Sequence, residues 1–302
     1  MNFWPDAMEL LKELNENTVP MVDNYDNTAK EPKFLPVRWP VAFINGVPNA
    51  MAVGFACNLP SHNPDEVMDA CIQLLQNPDI SITDITKIIK GPDFSCGCDI
   101  IKKRDGVDGV KEYMKTGSGT FIMRGVYEVK KEGRKYTINF SALPYKVSPE
   151  KILESISANY EKGKLRELSS WKDLSDLKHP VNVEIITKTN VNIDKAISDL
   201  FKLTPLEQTF SANNTLIIND KPLQADVKTI LNSFLDLRKE CTKNKLEYRL
   251  EKKKHKLLMQ EAIQKVLLDI DAAIKIIRNS DNDKVAKEKL IKKFKLNDEQ
   301  AE

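Results

Sequence analysis

The sequence has few of the residues on which most catalytic sites depend. Only three of its 302 residues are histidines, and His62, His179 and His255 are far apart along the chain. It contains neither a G-x-S-x-G nucleophile motif nor a phosphate-binding glycine loop. The fragment Gly117-Ser118-Gly119 is better explained as the end of a helix followed by a strand. The sequence therefore predicts no catalytic residue of these classes.

Cysteines are also few, and their distribution argues against disulfides and metal centres. The five are odd in number and scattered, as expected of reduced thiols in a cytosolic protein. Cys96-Gly97-Cys98 could form half of a metal site, but no second pair of cysteines or histidines stands at ligand spacing. The sequence accordingly predicts no metal site.

Long apolar runs are missing as well, so no membrane-spanning segment is expected. Residues 1–14 form an amphipathic pattern with acidic residues, which does not fit a signal peptide. We therefore expect a cytoplasmic protein without a membrane partner.

Charge is abundant but nearly balanced. Charged residues make up 30% of the chain and the formal net charge is +2, so the whole chain offers no general attraction for nucleic acid. The segment Arg238–Lys256 is an exception, with nine basic residues against three acidic ones. It could attract DNA, or it could be the solvated side of a long helix, which is the more frequent case.

The segment Leu35–Pro64 has little charge and is interrupted by helix- and strand-breaking residues. Before Pro64, these are four prolines and two glycines: Pro36, Pro40, Gly46, Pro48, Gly54 and Pro60. We predict short strands over Val41–Ile44 and Ala52–Ala56. Between them, Asn45–Met51 is predicted to be a protruding loop that exposes Met51.

The rest of the chain up to about residue 225 predicts an α+β domain with antiparallel sheet. Helices are predicted after the caps Asn63 and Ser148 and over residues 82–89, 107–114 and 193–203. Strands are predicted over residues 121–130, 135–142, 181–189 and 215–218. A further short helix is predicted over Asp6–Leu14.

From about residue 226 the pattern changes to a long helix without glycine or proline. Two apolar seams follow heptad-like spacing: Ile230, Phe234, Leu237, Cys241, Asn244 and Tyr248, then Met259, Ile263, Val266, Ile270, Ala273 and Ile277. Such a seam indicates packing against another helix, and a partner chain is the favoured explanation. The alternative is a helix lying on the surface of its own domain.

Several motifs occur in the order found in a known family. They are Asp23-Asn24-Tyr25-Asp26-Asn27, Glu31-Pro32, Leu35-Pro36, Asn45-Gly46, Ala52-Val53-Gly54, Ala56, Asn58-Leu59-Pro60, His62-Asn63, Gly91-Pro92-Asp93-Phe94 and Leu143-Pro144-Tyr145. This order resembles the A subunit of type IIA DNA topoisomerases, the family of gyrase and topoisomerase IV. The resemblance is most specific over Asp23–Asn63.

The resemblance implies how the chain is divided. Residues 1–30 would lead in from a winged-helix domain, 31–225 would form the tower domain, 226–278 a long coiled-coil helix, and 279–302 the start of the C-gate dimerisation region. The implied partners are double-stranded DNA, a second copy of the chain and a topoisomerase B subunit. Magnesium and ATP are implied on the B subunit, with no cofactor on this chain.

The family cleaves DNA with a tyrosine that follows an arginine in an A-x-R-Y-T-E setting, and none of the seven tyrosines here matches it. That tyrosine belongs to the winged-helix domain. The resemblance therefore implies no catalytic residue in this chain.

The resemblance also implies a DNA-bending element. In relatives an isoleucine before A-V-G inserts between base pairs, and Met51 occupies that position here, whereas the alternative is Met51 folded into the core. The spacer Val47–Ala50 is one residue longer than usual and lacks its glycine. Asn45, Asn49, Lys33 and Arg38 are the predicted flanking DNA contacts.

Two functions follow as hypotheses. The chain could be part of the DNA-binding and cleavage subunit of an ATP-dependent type II topoisomerase that binds and bends the cleaved DNA and supports the dimer gate. Alternatively, it could be a stand-alone non-catalytic protein that bends DNA or binds a topoisomerase subunit.

Overall fold

The computed structural model describes residues 11–52, 54–104 and 106–301. The chain divides into two compact units, one comprising residues 1–38 and 237–302 and the other residues 39–236. Most of the predicted helix Asp6–Leu14 lies outside the described residues, and Leu14–Glu16 is a short 3-10 helix.

The architecture mixes helices with antiparallel sheets, which confirms the predicted α+β class. The strands are β1 Met21–Asp23, β2 Lys30–Pro32, β3 Val47–Ala52, β4 Phe55–Leu59, β5 Asp99–Ile101, β6 Lys103–Arg104, β7 Val107–Asp108, β8 Ser118–Arg124, β9 Val126–Glu132, β10 Lys135–Ala142, β11 Leu168–Asp173, β12 Val183–Thr187, β13 Glu207–Asn213, β14 Thr215–Ile218 and β15 Lys221–Gln224. The helices are α1 Val41–Asn45, α2 Pro64–Gln76, α3 Ile82–Ile88, α4 Gly109–Thr116, α5 Pro149–Glu161, α6 Ile193–Leu203, α7 Val227–Leu267, α8 Ile270–Arg278, α9 Asp283–Phe294 and α10 Asp298–Ala301.

Two larger sheets organise the unit of residues 39–236. A five-stranded sheet has the order β3-β4-β13-β8-β5, and a four-stranded sheet has the order β11-β12-β10-β9. Each sheet covers its own apolar core. The first core centres on Phe43, Tyr113 and Phe121, and the second on Phe140, Ile152 and Ile185.

Local sequence signals place several helices correctly. The Asn63 side chain accepts hydrogen bonds from the backbone N–H groups of Asp65 and Glu66, and Pro64 is the first residue of α2. Ser148 and Asn192 cap α5 and α6 in the same way. These caps satisfy N–H groups that the first turn of a helix leaves without a partner.

The predicted strand Val41–Ile44 is wrong, because these residues form the short helix α1. The N–H groups of Phe43 and Ile44 both donate to the carbonyl oxygen of Pro40, at 3.0 Å, which closes the first helical turn. Phe43 is 1% exposed in the first core. Burial of this ring outweighs the strand preference of the β-branched residues beside it.

The predicted continuous helix of residues 226–278 is also interrupted. Helix α7 ends at Leu267, and Asp269 has a non-helical backbone with φ −143°. The Asp269 side chain instead accepts a hydrogen bond from the Ala272 N–H and caps α8. The second predicted seam is therefore divided between two helices.

Part of the first predicted seam is covered by the chain itself. Ile230 belongs to the first core of the unit of residues 39–236. In the other unit Cys241 is 1% exposed, and the Asn244 side chain donates to the Thr18 carbonyl oxygen at 3.1 Å. Further along, Leu246, Leu250 and Leu257 are each more than half exposed. The favoured explanation of a partner chain is therefore wrong for Ile230, Cys241 and Asn244, which the chain itself covers.

A buried carboxylate holds the unit of residues 1–38 and 237–302 together. Glu13 is 2% exposed and accepts from Lys245 Nζ at 2.7 Å and from an Arg238 guanidinium nitrogen at 3.0 Å. Arg38 Nε donates to the same carboxylate at 3.2 Å. Burial raises the pKa of Glu13, but the hydrogen bonds and charges of Lys245 and Arg238 outweigh it and lower that pKa to about 2.

No helix within the described ranges combines the length and the apolar character needed to span a bilayer.

Replacing Glu13 by Gln should destabilise the unit that contains it. The substitution keeps the shape but leaves Arg238 and Lys245 without a counter-charge, at a cost of about 3 kcal/mol at pH 7. This cost should shrink as the pH falls from about 4.5 towards 2, because the native carboxylate is then protonated as well. Urea unfolding at several pH values measures it.

The matched control is Glu16→Gln, which removes a more exposed ion pair with Arg249. A smaller loss of stability is expected there. Equal losses for both variants would contradict the special role of Glu13.

Candidate nucleic-acid interface

Strands β3 and β4 form a hairpin at the edge of the five-stranded sheet, where a loop ending at Met51 was predicted. Gly46 begins it with φ +75°, and a Cβ atom there would lie 2.8 Å from the Leu59 carbonyl oxygen. Only glycine fits so close to the returning strand. The predicted loop Asn45–Met51 is thus wrong in conformation, since most of it is strand.

The long spacer before Met51 is accommodated as a β-bulge. Val47 pairs with Leu59 and Ala50 with Cys57, so β3 advances three residues where β4 advances two. Asn49 has φ +55°, a left-handed conformation that asparagine tolerates better than most residues. Its N–H donates to Asn58 Oδ1 at 3.2 Å instead of to a ladder partner.

The bulge determines the face of the hairpin on which Met51 lies. Directly paired residues share a face, so Val47 lies on the face of Leu59, and Met51 on that of Ala56. Leu59 and Ala56 are three residues apart and therefore on opposite faces. If the ladder continued from Val47 without the bulge, Met51 would be opposite Phe55 and share the face of Leu59, which is 1% exposed in the core.

Met51 is exposed, as predicted. Its exposed fraction is 86%, which excludes the alternative of a side chain folded into the core. Phe55, across the turn, is 52% exposed, and Ile217 of the neighbouring β14–β15 hairpin is 79% exposed. A groove of about 360 Å³ between the two hairpins is lined mainly by apolar side chains. Exposed apolar surface of this kind is typical of a binding site.

The flanking residues predicted to contact DNA are divided between the two units. Asn45 and Asn49 are in the same unit as Met51, and Asn49 lies two residues before it on β3. Lys33 and Arg38 belong to the other unit. Arg38 is half-buried and paired with Glu13, so it is already engaged in a structural contact.

A buried histidine supports the base of the hairpin. The His62 ring stacks on Phe43 with centroids 3.9 Å apart, and its Nε2 lies 3.2 Å from the Tyr113 hydroxyl. Its Nδ1 lies 3.0 Å from the Phe43 carbonyl oxygen, which can only accept, so Nδ1 carries the proton and Nε2 accepts from Tyr113. Burial lowers the pKa of His62 to about 4, and the Phe43 carbonyl only partly offsets it.

Cys96 and Cys98 lie close enough for their side chains to share a hydrogen bond. Within the described part of the chain, no group of three or more histidine, cysteine or acidic side chains is arranged to hold a metal ion. The hydrogen bond from Cys98 lowers the pKa of the Cys96 thiol to about 6 and raises that of Cys98. The shared hydrogen bond therefore favours the thiolate form of Cys96.

The basic segment Arg238–Lys256 is partly engaged within its own unit. Arg238 and Lys245 bind Glu13, and an Arg249 guanidinium nitrogen donates to Glu16 at 2.8 Å. These ion pairs reduce the charge that the segment can offer to DNA. Its remaining cations include Lys252, Lys253 and Lys254, which are exposed.

Sequence reasoning missed the residues that join the hairpin to the sheet. Asn58 Nδ2 donates to the Ser211 carbonyl oxygen at 2.7 Å, and Asn213 Nδ2 donates to the Ala56 carbonyl oxygen at 2.8 Å. Asparagine is unfavourable in strands. Its presence in the middle of an apolar run was the signal that could have identified Asn58.

Comparison with known proteins supports the resemblance seen in the motifs. Residues 3–302 match the family of the A subunits of DNA gyrase and topoisomerase IV. The gyrase A protein of Staphylococcus epidermidis strain RP62A is 32% identical over 297 residues, which is 98% of this chain and 33% of that protein. The corresponding protein of Staphylococcus aureus strain NCTC 8325 is 33% identical over 298 residues, again 98% of this chain and 33% of the relative.

The match over residues 3–302 thus places the chain in the type IIA topoisomerase class. The chain is a member of the family of DNA gyrase and topoisomerase IV A subunits. It spans about a third of the length of the curated relatives it matches.

The buried histidine predicts a pH-dependent stability. In the unfolded chain His62 is protonated below about pH 6.5, whereas in the folded chain its pKa is about 4. The neutral, buried His62 contributes fully to the free energy of unfolding above pH 6.5. As the pH falls towards 4, protonation of this histidine in the unfolded chain lowers that free energy by about 3 kcal/mol. In His62→Gln the free energy of unfolding should therefore fall less steeply over this range.

Chemical unfolding at pH 4 to 7 tests this, with His179→Gln as control because His179 is exposed. Identical slopes for the wild type and His62→Gln would show that His62 is not the group that titrates.

Proposed function

We propose that this chain supplies the DNA-bending part of the cleavage subunit of an ATP-dependent type II DNA topoisomerase. The observation that carries the proposal is the exposed Met51, held on the outer face of a hairpin in a chain of the gyrase and topoisomerase IV family. The relatives are named as DNA gyrase subunits. The partners proposed for this chain are duplex DNA, a second copy of itself and a topoisomerase B subunit.

Met51 would act as an apolar wedge. Partial insertion of a side chain between base pairs costs a few kcal/mol in lost stacking, which the contacts of a bent duplex offset. A methionine side chain is long and unbranched, so it can adapt to the gap between two bases. Asn45 and Asn49 remain proposed contacts to the DNA backbone on the same unit.

Chemistry in this complex would depend on groups outside the described residues. A nucleophilic tyrosine would have to come from a winged-helix domain, while magnesium and ATP would be held by the B subunit. The role proposed for this chain is to hold and bend DNA and to support the dimer gate. Leucines exposed along α7, including Leu246, Leu250 and Leu257, are the surface proposed for helix packing in the dimer.

A stand-alone DNA-bending or subunit-binding protein is the second candidate. It would use the same exposed Met51 hairpin to bind DNA without taking part in cleavage. The two candidates differ in whether supercoiled DNA is ever relaxed with this chain present.

Met51→Ala should reduce the bending of a duplex of about 30 base pairs by roughly half, because the wedge is removed while backbone contacts remain. Energy transfer between dyes at the two DNA ends measures the bend at saturating protein. Met68→Ala, which shortens a methionine exposed on α2, is the matched control. Unchanged bending in Met51→Ala would reject the wedge.

Relaxation of plasmid DNA should require complementation. We expect no relaxation by the isolated chain, and relaxation when a winged-helix fragment carrying the tyrosine is added together with ATP, magnesium and the B subunit. DNA bending by the chain without relaxation in any mixture would instead favour the stand-alone function.

A further inference from the structure

The hairpin that carries Met51 has little backbone pairing to the rest of its sheet. Between β4 and β13 the ladder pairs Asn58 with Asn213, whereas β13 and β8 pair over seven residues. A strand attached so briefly can change its angle to the sheet. Some other interaction must therefore fix the direction in which the hairpin projects.

Two side-chain amides provide that interaction. Asn58 reaches the carbonyl oxygen of Ser211, two residues before Asn213, at 2.7 Å. Asn213 reaches the carbonyl oxygen of Ala56, two residues before Asn58, at 2.8 Å. Each side-chain amide thus adds one hydrogen bond between β4 and β13. It does so one step beyond the Asn58–Asn213 pair, where the two backbones no longer pair with each other.

The second amide is itself oriented by a neighbour. The Thr215 hydroxyl donates to Asn213 Oδ1 at 2.9 Å. Because this oxygen accepts from a hydroxyl, the other end of the amide is the NH2 group. Its Nδ2 is therefore available to donate to the Ala56 carbonyl oxygen. The Asn213 contact is therefore defined at both ends.

Asn58 additionally holds the bulge. Its Oδ1 accepts from the Asn49 N–H at 3.2 Å, while its Nδ2 is bound to β13. One amide thus connects the residue in left-handed conformation on β3 to the central part of the sheet. Asn58 and Met51 lie on the same face of the hairpin, because Ala56 pairs with Met51 and lies two residues from Asn58.

We infer that Asn58 is a positioning residue for Met51. Its amide stabilises the bulge that places Met51 on the outer face of the hairpin, opposite the face of Leu59. The same amide also fixes the hairpin against β13. Asn213 acts with it as the second tie. This inference rests on the proposed function for its consequence in DNA bending, but its structural part can be measured without DNA.

The structural part is tested by hydrogen exchange on the full chain. In Asn58→Ala the amide hydrogens of β3 and β4 should exchange about tenfold faster, because a hydrogen bond that closes the bulge is lost. Those of β8 should be unchanged. Asn159→Ala is the matched control, since it removes a part-buried amide that binds the Ser155 and Leu203 carbonyl oxygens elsewhere in the unit. Unchanged exchange in the hairpin of Asn58→Ala would overturn the inference.

The consequence for DNA is tested by a double-mutant cycle. Asn58→Ala should lower the bend of a duplex of about 30 base pairs nearly as much as Met51→Ala, with DNA affinity changed less than about threefold. In a Met51→Ala background it should cause no further loss of bending, because Asn58 acts through Met51. Additive losses of bending would contradict positioning and indicate a separate role.

Asn58→Asp keeps the inference testable if the alanine variant does not fold. Aspartate retains an oxygen that can accept from Asn49 but loses the donor to Ser211, so bending should be intermediate. Bending equal to the wild type would overturn the role of the tie to β13. If hairpin exchange responds to Asn58→Ala but Met51→Ala leaves bending unchanged, the proposed function fails while the positioning of the hairpin stands.

Discussion

The tie between β4 and β13 is the interaction on which the exposed hairpin depends. Backbone pairing at this point is limited to Asn58 and Asn213, and the side-chain amides of the same two residues extend it. Strong pairing of β13 with β8 and the aromatic core beneath them provide a rigid support. An exposed apolar side chain can then be held in place without being buried.

Electrostatics act differently in the two units. In the unit of residues 1–38 and 237–302, Glu13 binds three cationic side chains and keeps its charge, since its pKa is lowered to about 2. In the other unit the key titratable group is His62, which burial keeps neutral by lowering its pKa. Neither arrangement depends on the small net charge of the chain. The proposed interaction with DNA correspondingly depends on an apolar wedge and local contacts more than on overall charge.

Elements with strong local signals were predictable from the sequence. Asn63 and Ser148 cap helices where these caps were expected, because a cap depends only on residues within one turn. Helix α1 was missed because the burial of Phe43 is a long-range effect that overrides β propensity. The break after Leu267 was missed because Asp269 can either continue a helix or cap the next one, and the spacing of apolar residues does not distinguish the two.

The sequence by itself determined the family, the α+β class and the identity of the exposed methionine, because these follow from motif order and local propensity. Only the tertiary structure decided how Met51 is presented. A spacer one residue too long is compatible with a loop or a strand, and a bulge becomes visible only when Val47 and Ala50 are matched to Leu59 and Cys57. The role of Asn58 likewise depends on Ser211, which lies 153 residues away in the chain. Such contacts bring distant segments together, so a local pattern can single out Asn58 but cannot identify its partner.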